Sequence, residues 1–229
     1  MLQIIKGNIF TTRCQTIVNT INCVGVMGAG IAYECRLRFP EMYSKYVGLC
    51  ENGNIKIGSL WIFKSYDRWV LNFPTKTDWK YQSKIEYLEL GLEKFVQTYR
   101  EKGITSIAFP LLGASNGGIS EAVSLEIMEK YLGQCEIPVE IYKYDPTAND
   151  DLFLNFKTLW LSKSDKQLAE MSKLRLDFIK KLRAAFDRDD IRTISGLLTI
   201  SGIGDKTLER AYRLLREMPN KMVDLDLFS

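Results

Sequence analysis

A group of glycines lies between a β-like stretch and a helix-like stretch near the amino terminus, and it constrains the fold more than any other feature. Residues 16–19 (Thr-Ile-Val-Asn) are β-prone, and residues 31–39 have the composition of a helix. Between them, Gly25, Gly28 and Gly30 allow backbone N–H groups to approach an oxygen atom, and the helix N-terminus adds positive potential. The pattern predicts a phosphate or pyrophosphate cradle.

A purely structural explanation of these glycines is as well supported as ligand binding. Glycine also occurs at such turns where the backbone needs a positive φ or where a helix packs closely on a sheet. The spacing Gly-x-x-Gly-x-Gly differs from the Gly-x-Gly-x-x-Gly of dinucleotide-binding domains. We therefore do not expect an ordinary Rossmann site.

Composition excludes several classes of function. The chain of 229 residues has no histidine, which removes His-based triads, general bases and metal ligands. Its five cysteines are never spaced as Cys-x-x-Cys, so they predict reduced thiols, with no disulfide framework and no zinc site. No apolar run has membrane-spanning length and no signal peptide is recognisable, so we expect a cytoplasmic protein that does not contact a membrane.

Alternating strand and helix patterns predict a three-layer α/β domain over residues 1–146. Strands are predicted at 2–6, 16–19, 59–65, 69–73, 106–109 and 139–144, and helices at 31–39, 41–49, 83–102 and 120–132. Ser83 is the predicted cap of the third helix, and residues 74–80 are predicted to form a polar loop. A second glycine loop, residues 110–118, also follows a strand, so both loops should meet at the carboxyl edge of the sheet.

The remaining residues, 147–229, carry only helix-like patterns, including one run over 165–186, and predict a small all-helical domain. The whole net charge of +3 lies after residue 150, which hints at a polyanionic partner. Residues 191–216 resemble a helix-hairpin-helix element, in which N–H groups of Gly202 and Gly204 bind a DNA phosphate and Lys206 and Arg210 reinforce them. A simple tight turn explains the same glycines equally well.

Three motifs occur in order: residues 19–32 (NTINCVGVMGAGIA), residues 72–76 (NFPTK) and residues 112–118 (LGASNGG). Together they resemble the macrodomain, an ADP-ribose-binding module, and in particular the macrodomain of DarG antitoxins, which remove ADP-ribose from DNA bases modified by the toxin DarT. The resemblance covers about residues 1–146. It implies an α/β/α fold with a mixed central sheet.

The resemblance also implies a binding site. The first loop would wrap the diphosphate, the second would close near the distal ribose, and Asn19 and Asn22 would face that ribose. Asn8 would lie at the adenine, where macrodomains usually have an aspartate, and Ser115 stands where the family prefers glycine. The implied ADP-ribose-binding residues are Asn8, Ile9, Asn19, Asn22, Val24, Gly25, Val26, Met27, Gly28, Ala29, Gly30, Ile31, Thr75, Leu112, Gly113, Ala114, Ser115, Asn116, Gly117, Gly118 and Tyr144.

Lys76 is the catalytic residue that the resemblance implies, because related glycohydrolases have their essential lysine in the matching Phe-Pro-Thr-Lys loop. A lysine can protonate or stabilise the departing base, or attack C1″ as an amine, and the sequence leaves these roles open. Without the motif, a solvated loop lysine would be the better explanation. Trp79 follows in the same loop and either stacks on a nucleobase or covers the edge of the core.

We therefore expect a hydrolase that removes ADP-ribose from the bases of single-stranded DNA, with no metal and no redox cofactor. A DarT-like toxin is the implied partner, although the tail is shorter than the toxin-binding region of DarG proteins, which argues against toxin sequestration. Two alternatives remain. The same pocket could serve ADP-ribosylated protein or O-acetyl-ADP-ribose, or it could be a non-catalytic ADP-ribose reader, which does not need Lys76.

Overall fold

The computed structural model describes residues 1–148 and 150–217 and divides the chain into two compact units, Met1–Asn149 and Asp150–Ser229. The predicted boundary between an ADP-ribose-hydrolysing domain and a helical domain, after residue 146, stays a prediction. Residues 218–229 of the predicted helical domain lie outside the described residues.

The first unit is built on a six-stranded mixed sheet. The strands are β1 (Leu2–Gly7), β2 (Thr16–Asn22), β3 (Trp61–Lys64), β4 (Trp69–Lys76), β5 (Ile107–Pro110) and β6 (Val139–Tyr144). Their order across the sheet is β1-β6-β5-β2-β4-β3, and β3 at one edge is the antiparallel member. This arrangement brings the carboxyl ends of the parallel strands to one edge of the sheet.

Helices cover both faces of this sheet. They are α1 (Gly30–Arg38), α2 (Pro40–Glu51), α3 (Ile85–Thr98) and α4 (Glu121–Leu132). Alternate residues of β2 point to opposite faces, so Val18 joins the core under α3 and α4, whereas Ile17 and Ile21 join the core under α1 and α2. These three layers, helices on each side of a mixed sheet, confirm the predicted fold.

Local signals explain where these helices begin. Pro40 is the first residue of α2, where its missing N–H costs no hydrogen bond. Ser120 caps α4 by accepting a hydrogen bond from the N–H of Val123. Apolar residues at three- and four-residue intervals bury Leu88, Leu92 and Phe95 of α3 against the sheet.

Two local predictions in this unit are wrong. Residues 74–76 are not loop but the end of β4, because β2 continues alongside them and pairs Ile21 with Pro74. The pairing of β3 stops at Asn72, so Pro74 lies where β4 has no partner on that side and its missing N–H is tolerated. Ser83 is not the cap of α3 either: Lys84 occupies the N-cap position, without a side-chain cap.

The second unit consists of helices and turns in its described part. The helices are α5 (Asp151–Leu161), α6 (Asp165–Ser172), α7 (Leu176–Ala185) and α8 (Asp205–Glu217), with a 3-10 helix at Ser195–Thr199. Asp150 caps α5 by accepting from the N–H groups of Leu152 and Phe153, and Ser164 and Gln167 form a capping box on α6.

The predicted single helical run over 165–186 is wrong. Lys173 has a φ of 57° and ends α6 in the left-handed conformation, and α7 begins three residues later. The two shorter helices bury Leu168, Ile179 and Leu182 completely. Among residues 1–148 and 150–217, no helix combines the length and the apolar character needed to cross a membrane.

Candidate functional site at the carboxyl edge of the sheet

The first glycine loop, residues 23–29, connects β2 to α1, and Asn22 organises it. The Asn22 Oδ1 atom accepts hydrogen bonds from the N–H groups of Val24 (3.1 Å) and Val26 (3.2 Å), and its Nδ2 donates to the Val26 carbonyl (2.6 Å). The buried Tyr46 hydroxyl lies 2.7 Å from the Asn22 carbonyl and 3.0 Å from Oδ1 and donates to this pair. One side chain thus fixes the loop at three backbone atoms.

Burial raises the pKa of Tyr46 above its ordinary value, and the nearby Cys50 adds to this effect. Burial likewise raises the pKa of Cys23, from 9.0 to about 11. Both groups are therefore neutral at physiological pH. Tyr46 keeps the proton that it donates to Asn22.

The end of this loop forms an open helix N-terminus. Met27 is fully buried and its carbonyl accepts from Arg36 (3.3 Å), whereas Gly28, Ala29 and Gly30 are exposed. Ala29 is the N-cap of α1 and has no side chain that can cap it. The first turn of α1 therefore has no side-chain cap, and the positive end of the helix dipole lies at the exposed residues Gly28 to Gly30, which is an arrangement that binds anions.

Asn19 lies in β2, three residues before Asn22, and is fully buried. Its Nδ2 donates to Asn72 Oδ1 on the neighbouring strand β4 (2.9 Å) and lies 3.9 Å from Met27 Sδ. Within the described residues, Asn19 Oδ1 is buried without a hydrogen-bond partner. A buried carbonyl oxygen of this kind is costly unless a further donor reaches it.

The second glycine loop follows β5, and its path favours glycine at position 113. Gly113 has a φ of 67°, in the left-handed region, and a Cβ there would lie 2.8 Å from Ile119 Cδ1, so another residue would be strained and Ile119 would have to move. The N–H of Ile119 closes the loop on the Gly113 carbonyl (3.0 Å). Ser115 has a φ of 52°, an unfavourable conformation for a residue with a Cβ, which explains why glycine is expected at this position.

Lys76, at the end of β4, connects the two loops. Its Nζ donates to the carbonyl oxygen of Asn116 in the second loop, at 2.5 Å. The Asn116 side chain in turn lies against the first loop, since a Cβ on Gly30 would be 3.4 Å from Asn116 Nδ2. Lys76, Asn116 and Gly30 therefore bring the last residue of a strand, the second loop and the start of α1 together.

Asn8 and Tyr144 lie at the carboxyl ends of adjacent strands: Asn8 follows β1, and Tyr144 is the last residue of β6. Gly7 is paired with Tyr144 in the register of β1 and β6, and Asn8 comes directly after Gly7. Asn8 Oδ1 accepts from the N–H of Phe10 (3.0 Å), and Ile9 is buried beside it, while Tyr144 is exposed. This pair lies at the far side of the sheet from β4, beyond β5 and β2.

The predicted nucleic-acid residues fall in both units. Trp79 is exposed in the segment between β4 and α3. In the second unit, Gly202, Gly204, Lys206 and Arg210 are all exposed on the turn before α8 and on its first two turns. The segment before this turn is a single 3-10 turn, so the helix-hairpin-helix element stays a prediction.

Comparison with known proteins shows the family of the first unit. The family model described as "Macro domain" matches residues 18–128. The solved macrodomain of Thermus aquaticus DarG is 36% identical to this chain and has a TM-score of 0.59. The match spans 62% of this chain and 98% of that macrodomain. The chain belongs to the macrodomain family.

Curated relatives of this macrodomain carry functional names. It is 37% identical over 153 residues to the Thermus aquaticus protein named "DNA ADP-ribosyl glycohydrolase", a match that spans 65% of this chain and 42% of the relative. It is 33% identical over 160 residues to a Thermosipho africanus transferase–glycohydrolase fusion protein, spanning 62% of this chain and 41% of the relative. The chain thus spans about two fifths of the length of these curated relatives.

A structure of the Thermosipho protein was determined with ADP-ribose. It is described as DarTG in complex with ADP-ribose, is 33% identical, has a TM-score of 0.59, and the match spans 62% of this chain and 42% of that one. The resemblance to DarG macrodomains inferred from the three motifs is thereby confirmed.

Three residues of this macrodomain site were missed by sequence reasoning. Asn72 lies within the second motif, so its partnership with Asn19 had a signal that was not used. Tyr46 and Ser83 had none, because nothing near them in the sequence connects them with Asn22 or with the second loop. Ser83 donates its N–H to the Gly117 carbonyl (2.9 Å), and its Oγ is buried without a hydrogen-bond partner among the described residues.

Proposed function

We propose that the first unit hydrolyses the N-glycosidic bond between ADP-ribose and a DNA base. The observation that carries this proposal is the location of the Lys76 amine between the two glycine loops, 2.5 Å from the Asn116 carbonyl. A binding module needs no amine there. The names of the DarG relatives and the ADP-ribose complex of the Thermosipho protein give the chemical class of the substrate.

The open N-terminus of α1 is the proposed diphosphate site. Backbone N–H groups from Gly28 to Ile31 can donate to phosphate oxygens without a side chain in the way, and Val24, Gly25 and Val26 form the wall of the loop that Asn22 holds. The second loop, from Leu112 to Gly118, closes the opposite side. Thr75, buried beside Lys76 at the end of β4, belongs to the floor between them.

The distal ribose is assigned to the space beside Asn19, Asn22 and Lys76. Asn19 Oδ1 has no protein donor among the described residues, but Asn19 is fully buried, so a ribose hydroxyl can donate to this oxygen only when the first loop, whose Met27 lies against Asn19, shifts. Asn22 uses most of its hydrogen-bonding capacity within the loop and keeps one Nδ2 hydrogen. Its main contribution is therefore to fix the loop that binds the sugar and diphosphate.

Lys76 is the proposed catalytic residue. In the reaction the bond between C1″ and the base nitrogen breaks, water supplies the hydroxyl at C1″, and a proton goes to the departing base. A lysine ammonium has three hydrogens, and one of them binds Asn116, so two remain for the leaving base or the ribose. Attack by a neutral Lys76 amine on C1″, followed by hydrolysis, is the alternative role.

The adenine end is assigned to Asn8, Ile9 and Tyr144. The Asn8 carboxamide directly follows β1, as the resemblance implies for the adenine site, and as an uncharged acceptor for the exocyclic amine it is weaker than the aspartate usual in macrodomains. Tyr144 offers an exposed ring at the adjacent strand end.

The second unit is proposed to hold the DNA backbone. Ile203 is buried and anchors the turn, which exposes Gly202 and Gly204, while Lys206 and Arg210 lie on the following helix. Replacing Lys206 and Arg210 together by alanine should weaken binding of the full chain to single-stranded DNA and flatten its salt dependence. An unchanged salt dependence would leave the turn with a structural role only.

The implied partner is a DarT-like ADP-ribosyltransferase that supplies the modified base. The relative that fuses a transferase to a glycohydrolase supports this pairing of activities. Such a substrate requires the compartment that holds DNA, in keeping with the predicted cytoplasmic location.

The deciding experiment compares substrates. The full chain is incubated with a single-stranded oligonucleotide carrying one ADP-ribosylated base, with an ADP-ribosylated protein and with O-acetyl-ADP-ribose, and free ADP-ribose is measured by mass spectrometry. We expect release from the oligonucleotide at the highest kcat/KM. Release from protein or O-acetyl-ADP-ribose alone would assign the pocket to those substrates, and tight ADP-ribose binding without any release would make the unit a reader.

A further inference from the structure

Residues 77–82, the greater part of the loop between β4 and α3, are flanked on both sides by contacts to the second glycine loop. Immediately before them, Lys76 Nζ binds the Asn116 carbonyl, and immediately after them, the Ser83 N–H binds the Gly117 carbonyl at 2.9 Å. The Gln82 side chain also packs against Gly118, because a Cβ at that position would lie only 3.2 Å from Gln82 Cδ. The loop must therefore lie at the rim of the proposed pocket, on the side of the distal ribose.

Hydrogen bonds within the loop give it a defined turn. Asp78 Oδ1 accepts from the N–H of Lys80 (3.0 Å), and the Asp78 carbonyl accepts from the N–H of Tyr81 (3.2 Å). The Asp78 carboxylate is thus engaged with the backbone of its own loop. A loop closed in this way holds its side chains in place before a ligand arrives.

Two aromatic rings project from this turn into solvent. Trp79 is 53% exposed and Tyr81 is 64% exposed. Lysines accompany them: Lys80 Nζ lies 5.5 Å from the centre of the Trp79 ring, and Lys84 Nζ lies 5.6 Å from the Tyr87 ring at the start of α3. Exposed aromatic faces interleaved with cations are the features that proteins use to bind unpaired nucleotides, by stacking and by phosphate contacts.

The distance from the reaction centre suits the nucleotides next to the modified one. Trp79 is three residues from Lys76, so their Cα atoms are at most about 11 Å apart. Successive nucleotides of a stacked strand are separated by about 3.4 Å, so bases one to three positions from the modified base can reach this surface.

We propose that Trp79 and Tyr81 form a stacking surface for the unpaired bases beside the ADP-ribosylated nucleotide, with Lys80 and Lys84 binding the intervening phosphates. This inference rests on the proposed function and adds to that function the recognition of the DNA strand that carries the modified base. It makes the enzyme specific for ADP-ribose on a single-stranded nucleic acid, because a paired base does not present its face to an aromatic ring.

The test measures the ratio of two kcat/KM values: one for an ADP-ribosylated oligonucleotide with three unmodified nucleotides on each side, and one for the ADP-ribosylated nucleoside alone. In Trp79→Ala and in Tyr81→Ala the ratio should fall about tenfold through a higher KM for the oligonucleotide, the loss of one stacked base. Trp79→Phe should restore most of it. Tyr66→Ala removes a fully exposed tyrosine from the turn between β3 and β4 and is the matched control.

The lysines are tested separately through salt dependence. In a titration with unmodified single-stranded oligonucleotide, Lys80→Gln and Lys84→Gln should each reduce the slope of log affinity against log salt by about 0.7. Lys102→Gln, after the end of α3, is the control and should leave the slope unchanged.

The outcomes separate this inference from the proposed function. Failure of the wild-type chain to hydrolyse either substrate would refute the function itself. Hydrolysis of both substrates with an unchanged ratio in Trp79→Ala and Tyr81→Ala would refute the stacking surface alone. A faster reaction with an ADP-ribosylated peptide than with the oligonucleotide, lost in the same variants, would assign the surface to protein substrates and also overturn the inference.

Discussion

Lys76 Nζ and the carbonyl oxygen of Asn116 are joined by a 2.5 Å hydrogen bond across 40 residues of sequence. The bond links the last residue of β4 to the second glycine loop, and Asn116 also reaches Gly30 at the start of α1. The amine is thereby held where the two loops meet. Its location is the main reason to assign the chemistry to Lys76.

Replacing Lys76 by alanine should lower kcat for the ADP-ribosylated oligonucleotide by at least about 100-fold, the range for loss of a general acid. The dissociation constant of ADP-ribose, measured by calorimetry, should change much less than kcat, since the proposed diphosphate site is the backbone of α1. Lys94→Ala, an exposed lysine of α3, should retain wild-type kinetics. A Lys76→Ala variant with undiminished kcat would remove this residue from the mechanism.

Replacing Asn22 by alanine should lower both stability and ADP-ribose affinity. The N–H groups of Val24 and Val26 and the Tyr46 hydroxyl would lose their shared acceptor, and a buried donor without a partner costs about 1–3 kcal/mol. We expect the free energy of unfolding, from urea titration, to fall by at least about 2 kcal/mol. Asn52→Ala, at an exposed position after α2, serves as control. Unchanged stability of Asn22→Ala would show that other atoms hold the loop.

Two helical glycines should respond to alanine in opposite directions. A Cβ on Gly91 of α3 would lie 2.2 Å from Cζ of the buried Phe73, so Gly91→Ala should destabilise the first unit by about 1–3 kcal/mol. Gly48 of α2 has no atom within 4 Å of such a Cβ, and Gly48→Ala should stabilise by about 0.5–1 kcal/mol through helix propensity. Thermal unfolding of both variants checks the pair; stabilisation by Gly91→Ala would mean that α3 can move away from β4.

The first unit should lose stability at alkaline pH. Burial raises the pKa of Cys23 from 9.0 to about 11 and also raises the pKa of Tyr46. Between pH 9 and pH 11 the unfolded chain therefore releases protons that the folded chain keeps. The free energy of unfolding must then fall as pH rises from 9 to 11, by about 1 kcal/mol for the partly exposed Cys23.

Urea titrations under reducing conditions at several pH values test this expectation. Cys23→Ser and Tyr46→Phe should each flatten the decline between pH 9 and 11 relative to the wild type. The same decline in all three proteins would show that other groups cause it.

The sequence by itself determined the elements and the family. Strands and helices follow from the period of the apolar residues, as in β6, whose bounds match the prediction, and in α3, whose spacing is that of one buried helical face. The three motifs were sufficient to predict the macrodomain, because each is a short run that resembles the family and the three occur in the same order. Elements whose ends depend on a neighbour were less predictable: β4 continues through Pro74 only because β2 runs beside it.

Only the tertiary structure decided which side chains act together. The partners Asn19 and Asn72, Asn22 and Tyr46, and Lys76 and Asn116 are 24 to 53 residues apart, and no local pattern connects them. Parallel strands bring such residues to one edge of a sheet. There, some side chains use their hydrogen bonds to hold the loops, and others have polar atoms without a protein partner among the described residues. Asn22, predicted to face the ribose, uses its hydrogen bonds to fix the loop, while Asn19 Oδ1 is buried without a hydrogen-bond partner among the described residues.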